Sequence, residues 1–200
     1  MTGAEDDGRT RCGWADATGS RAAAPDSIMY RDYHDTEWGR PLHGAEALFE
    51  RMSLEAFQSG LSWLIILRKR DNFRRAFKRF DIEKVARFDD RDVERLMNDQ
   101  GIVRNRAKVD ATLANAKAVL ALDEPLADLI WRFAPADRPA PVTMADVPAQ
   151  TAESKALSKA LKANGLVFVG PTTAYALMQA VGLVNDHLAD CWVRDRVAAA

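Results

Sequence analysis

Two cysteines and three histidines are all the thiols and imidazoles in this 200-residue chain, and two of them, His187 and Cys191, stand four positions apart. On a helix that spacing sets an imidazole and a thiolate on one face, one turn apart, within reach of a single metal ion. The other cysteine, Cys12, and one of the two other histidines, His34, can complete a set of four. Two Cys and two His around a closed tetrahedron suit structural zinc, and ligands so far apart in sequence would clasp the N-terminal segment to the C-terminal one. Spacing alone also admits two unrelated buried cysteines with surface histidines.

Glu55 is the second position that draws attention. It falls on the apolar side of a helix near Met52, and a buried carboxylate requires a partner. The residues after it, Phe57-Gln58-Ser59-Gly60-Leu61-Ser62-Trp63, read as a helix break carrying an exposed leucine. Trp14, Tyr30, Tyr33, Trp38 and Trp63 gather in the same third of the chain, and as a list they read as core packing. His43 has the ordinary reading of a surface or core histidine.

The third pattern lies between Lys155 and Thr173. An amphipathic helix is followed by a turn bracketed by Gly165 and Gly170, then by a second helix opening with Pro171-Thr172-Thr173, which is a helix-hairpin-helix pattern. Glycine at both positions permits positive φ, and the free N–H groups opening the second helix favour a phosphate oxygen. An αα-hairpin packed in a core shows the same glycines. Lys155, Lys159 and Lys162 tilt the pattern toward DNA. Two further basic runs, Arg68 to Arg79 and Arg104-Arg106-Lys108, each read as a solvated face. Asp and Glu residues between positions 81 and 99 balance them, so the surface is electrostatically divided.

These positions need elements to hold them, and the apolar spacing supplies helices. Leu48/Met52/Ala56, Phe73/Phe77/Phe80, Val93/Leu96/Met97 and Val109/Leu113/Ala116/Leu120 recur at helical period. Asp71, Asp81 and Asp89 or Asp90 stand where N-caps would, and Gly101 reads as a helix stop. Strand signals are weak, so the fold class is all-α, a bundle of eight to ten short helices. Four prolines between Pro135 and Pro148 mark a connector, and helices resume near Ala152. Residues 1–10 read as a disordered tail and Ala22–Asp26 as a loop, leaving one helical domain over 11–200 with its hairpin at about 152–182.

Composition excludes several classes. Hydrophobic residues make up 48% and charged residues 28%, with 28 Lys+Arg against 29 Asp+Glu, as in globular proteins and not in polycations. The first residues lack the apolar core of a signal peptide. The longest uncharged run, Ala163–Asn185, is interrupted by polar residues, Pro171 and three glycines, and reads as buried protein instead of a membrane span. A cytoplasmic location, with reduced cysteines, is the expectation.

Five stretches, Arg11–Trp14, Tyr33–Gly39, Leu54–Trp63, Gly101–Lys108 and Phe168–His187, resemble in content and order the bacterial 3-methyladenine DNA glycosylase I family of the helix-hairpin-helix glycosylase superfamily. The resemblance runs from Arg11 to about Trp192. It implies a two-lobed helical bundle with a structural zinc on Cys12, His34, His187 and Cys191, joining the N- and C-terminal segments. It implies base-binding roles for Glu55, Tyr30, Tyr33, Trp14 and Trp63, with Glu55 catalytic. It implies that Gln58, Gly60 and Leu61 wedge into the duplex, and that Gly165, Val169, Gly170, Thr172 and Lys162 meet DNA. The implied activity is hydrolysis of the glycosidic bond of 3-methyladenine in alkylated double-stranded DNA by base flipping. The free base is the product ligand, no membrane is involved, and a monomer suffices. Superfamily members usually carry a catalytic Asp just past the hairpin, where this chain has Asn185, and Asp186 beside it is not assigned that role. The competing readings are a noncatalytic DNA-binding protein and a zinc hydrolase, the latter requiring an open metal position.

Overall fold

Helical periodicity in the sequence becomes ten α-helices among the described residues, which are 7–15, 25–136 and 138–198 of the computed structural model. Residues 1–6 of the expected tail and Ala22–Ala24 of the expected loop lie outside them, while Pro25 and Asp26, expected in that loop, are helical. No strand occurs among the described residues, in keeping with the all-α expectation.

The chain groups into two compact units, one formed by Met1–Pro41, Ala134–Ala149 and Met178–Ala200, the other by Leu42–Phe133 and Gln150–Leu177. The first unit contains α1 (Pro25–Thr36), a proline-rich segment with a short 3-10 turn at Met144–Asp146, and α10 (Arg194–Ala198). Its core gathers Cys12, Cys191, Val193 and Val197, with Trp14, Trp38, Leu188 and Trp192 packed against them. Of the expected tail, residues 7–10 are coil in which Asp7 pairs with Arg11 and the Thr10 carbonyl accepts from Trp192 N–H at 3.0 Å.

The second unit contains α2 (Ala45–Gln58), α3 (Trp63–Ala76), α4 (Ile82–Ala86), α5 (Asp90–Asn98), α6 (Arg106–Leu120), α7 (Leu126–Trp131) and α8 (Ala152–Ala163). It also holds most of α9 (Pro171–Ala180). Helix α2 packs on α3, α6 and α7, and α4 lies along α6. A run of phenylalanines fills the centre: Phe57 meets Phe73 at 4.7 Å between ring centroids, and Phe77 stacks on Phe80 at 5.5 Å. Burying each such ring contributes about 2–3 kcal/mol.

Three local expectations about caps and helix ends are corrected. Asp71 lies inside α3, where it faces Arg74, and Ser62 is the N-cap. Asp81 caps α4 by accepting from Lys84 N–H, and Asp89, not Asp90, caps α5 in a reciprocal capping box with Asp92. The phenylalanine stripe is not one helix: α3 ends at Ala76, and Lys78, Arg79 and Phe80 form a left-handed turn with φ of 52, 58 and 56°. That conformation costs a residue with a Cβ roughly 1–2 kcal/mol, offset here by full burial of Phe80. Helix α5 ends at Asn98 with Asp99 as C-cap, so Gly101 sits in the following turn and does not stop the helix itself.

Candidate functional site

In the first unit, α1 carries Tyr30, Tyr33 and His34 at i, i+3 and i+4, hence on one side of the helix. His34 points inward, and Cys12, His187 and Cys191 converge on it. One ligand atom from each of the four lies within 4.8 Å of all the others, and all four residues are buried. The separations are 3.7 Å from Cys12 Sγ to His187 Nδ1 and 3.2 Å from His187 Nδ1 to His34 Nε2. Cys191 Sγ stands 3.5 Å from each histidine nitrogen. A tetrahedral zinc with metal–sulfur bonds near 2.3 Å and metal–nitrogen bonds near 2.0 Å has ligand–ligand edges of about 3.3–3.8 Å, so the donor set fits such an ion.

The outer contacts prepare the ligands. His34 Nδ1 bonds Asp35 Oδ1 at 2.8 Å, Asp35 accepts from the buried guanidinium of Arg11, and His187 Nε2 faces Trp38 O at 3.2 Å. Each imidazole thus spends one nitrogen on an oxygen and turns the other inward with a lone pair. Burial pushes the Asp35 carboxyl up, but Arg11 and His34 more than offset it and hold it below its usual value. The neighbouring Cys191 and burial raise the Cys12 thiol, while Cys12 and the two histidines lower that of Cys191. Leu188 N–H also donates to Cys12 Sγ at 3.4 Å.

The expected helix over His187–Cys191 is absent. These residues lie in turns ahead of α10, and only the fold brings Cys12 and His34 to them. Trp14 ties this cluster to the tyrosines, with ring centroids 5.2 Å from His34, 5.7 Å from Tyr30 and 6.3 Å from Tyr33. Asn185 is structural: its side chain donates to Arg194 O and accepts from His187 N–H. Asp186 is buried and engaged through both oxygens, by Arg138 and by Gln179 at 2.8 Å.

In the second unit Glu55 sits in α2 at 5% exposure, with no hydrogen-bond partner among the described residues. Burial raises its carboxyl to about 7, although Arg51, one turn earlier, pulls the other way. Arg51 lies 5.8 Å over the ring of Trp63, a contact that the aromatic spacing did not reveal. After α2 the chain turns at Gln58–Leu61. Gly60 has φ +82° and Leu61 N–H donates to Gln58 O at 2.6 Å, which leaves Leu61 39% exposed at the tip.

Two helices joined by a turn occupy the predicted segment, with Thr151 capping α8 and Pro171 opening α9. Gly165 takes φ +81°, but Gly170 does not adopt a positive φ, and Phe168 does, at 57°. Two buried side chains missed in the sequence hold this turn. Asn115 accepts from Val167 N–H at 2.8 Å and donates to its carbonyl at 3.0 Å, while Ser158 donates to Val169 O at 2.6 Å. Val169 is buried, and Lys162, Gly165 and Thr172 are exposed. Lys108, expected on a solvated face, is buried.

Comparison with known proteins places the chain among relatives. A family model described as methyladenine glycosylase matches residues 23–195. A DNA-3-methyladenine glycosylase of Haemophilus influenzae is 45% identical over 188 residues, 91% of this chain and 96% of that protein. A crystal structure of 3-methyladenine DNA glycosylase I superposes with a TM-score of 0.83 at 41% identity, covering 92% of this chain and 98% of that one. Another, in complex with 3-methyladenine, gives 0.79 at 33% identity over 83% of this chain and 92% of that one. With the family model covering most of the chain and a relative 45% identical over 91% of it, the chain belongs to the methyladenine glycosylase family.

Proposed function

We propose that this protein is a monofunctional DNA glycosylase of base excision repair, which hydrolyses the glycosidic bond of 3-methyladenine in alkylated double-stranded DNA. The observation that carries the reading is Glu55, a carboxyl buried in a family member without a hydrogen-bond partner among the described residues. Such a group is stable only if a ligand supplies the missing partner or if it stays protonated. An N3-methylated adenine is cationic while attached to the sugar and offers amino hydrogens. Water forms a bond to the sugar carbon, the carbon–nitrogen bond breaks with its electrons passing to the base, and the base leaves neutral while the water loses a proton to solvent. Methylation has already weakened that bond, so Glu55 recognises the base and electrostatically stabilises it as it departs. Trp14, Tyr30, Tyr33 and Trp63 offer ring faces to the extruded base.

Cys12, His34, His187 and Cys191 are assigned to a structural zinc. Four protein donors complete the tetrahedron, so the ion supplies rigidity and no activated water. Gln58, Gly60 and Leu61 fill the gap left by the base. The helix-hairpin-helix element, through Gly165, Val169, Gly170, Thr172 and Lys162, takes the DNA backbone.

The test is base release from methylated duplex DNA, resolving 3-methyladenine from 7-methylguanine, with wild type and Glu55→Ala side by side. Selective release of 3-methyladenine that falls in the variant is expected. A folded, zinc-loaded wild type that releases none refutes the assignment.

A further inference from the structure

Lys108 breaks two local rules. It stands in the first turn of α6, where the helix dipole disfavours a cation, and its side chain is buried at 7% exposure with no carboxylate partner among the described residues. Desolvation lowers the pKa of its ammonium. Charges buried against the local grain mark positions kept for function.

Its ammonium donates to two main-chain oxygens, Phe57 O at 2.8 Å and Ser59 O at 2.6 Å, at the end of α2 and in the turn beyond it. Ser59 has φ −47° and ψ 115°, Gly60 has φ +82°, and Leu61 N–H bonds Gln58 O, so Gln58–Leu61 is a type II turn. Types I and II differ by a flip of the central peptide, and the direction of the Ser59 carbonyl is what distinguishes them. Lys108 grips that carbonyl. Phe57 O is one of the carbonyls that the end of a helix leaves without a helical donor, where a cation is favourable. One side chain from α6 therefore selects the turn form and anchors it to α2.

We propose that Lys108 is a positioning residue for the Gln58–Leu61 turn, holding it in the form that presents Leu61 to the duplex, so that base extrusion depends on it and base recognition does not. The inference rests on the wedge role proposed above.

Lys108→Met keeps the stem and removes the donors. Single-turnover release of 3-methyladenine is measured from duplex and from single-stranded alkylated DNA of one sequence, with free 3-methyladenine binding followed by tryptophan fluorescence. Expected are free-base affinity within about twofold of wild type and duplex release reduced roughly tenfold or more relative to single-strand release. With Leu61→Ala added, duplex release falls no further than with Leu61→Ala alone. A merely structural role lowers both releases together and weakens free-base binding, and that pattern, or unchanged duplex release, overturns the proposal. If Lys108→Met does not fold, Lys108→Arg replaces it, read by hydrogen exchange at Leu61 N–H. Faster exchange with a lowered duplex-to-single-strand ratio supports the clamp, and no change in either overturns it. A wild type that releases no base from either substrate overturns the glycosylase reading and this one with it. A working wild type beside an unaffected variant overturns the clamp alone.

Discussion

Glu55 is the residue whose environment departs furthest from what a lone carboxylate tolerates. Burial raises its pKa from 4.5 to about 7. Below about pH 4.5 folded and unfolded chains both hold the proton; between there and 7 the unfolded chain releases it and the folded one does not, so wild-type stability falls as pH rises through that window. Glu55→Gln carries no such penalty, and its stability relative to wild type is expected to grow from pH 5 to pH 8 by an amount on the order of 3 kcal/mol. Urea unfolding of both proteins at pH 5, 6, 7 and 8 measures this, and a difference independent of pH would mean the carboxyl is not desolvated. By the same ionisation, wild-type kcat/KM for base release should drop as pH falls below about 7.

At the scale of elements, function is divided between helices that carry groups and turns that present them. Helix α1 carries His34 of the candidate metal cluster and two tyrosines on one side, so ligation of His34 would also fix how Tyr30 and Tyr33 face. The hairpin turn carries no reactive group, and its shape is set from α6 by Asn115 and from α8 by Ser158. Asn115→Ala leaves Val167 N–H and C=O without that partner, at a cost of about 1–3 kcal/mol for each group that stays buried. Duplex affinity, read by fluorescence anisotropy with an abasic-site duplex, is expected to fall roughly tenfold while free 3-methyladenine binding holds. Equal loss of both would mean that Asn115 supports the fold generally and not the turn.

Over the whole molecule, the net charge of −1 gives no general attraction to DNA, so contact with a polyanion must come from local features such as the hairpin and its exposed lysines. No helix among the described residues is long and apolar enough to cross a membrane. The Cys2His2 cluster joins residues 175 positions apart, beside the bond from Trp192 N–H to Thr10 O and the apolar packing of Cys12 and Trp14 with Val193 and Trp192. Wild type is expected to carry one zinc per chain by atomic absorption. Stripping it, or Cys12→Ser, should lower stability by about 4 kcal/mol, which is a fall in melting temperature of roughly 10 °C for a chain of this size. Unchanged melting of metal-free protein would refute the clasp.

Helix content, the cap at Asp81 and the order of α8, turn and α9 follow from the sequence alone, because each rests on residue type and on spacing within a few positions; spacing also pairs His187 with Cys191, and the resemblance implies the full set of four donors. Burial and long-range pairing do not follow from spacing. Lys108 reads as one more solvated cation until α6 is laid against the end of α2, and Asp71 reads as a cap until α3 is seen to start at Ser62. His187 and Cys191 read as helical neighbours, yet turns hold them where they meet Cys12 and His34 in one buried cluster. Tertiary structure decided these points because a buried charge, a cluster of four donors and a pinned carbonyl depend on partners that only folding brings within bonding distance.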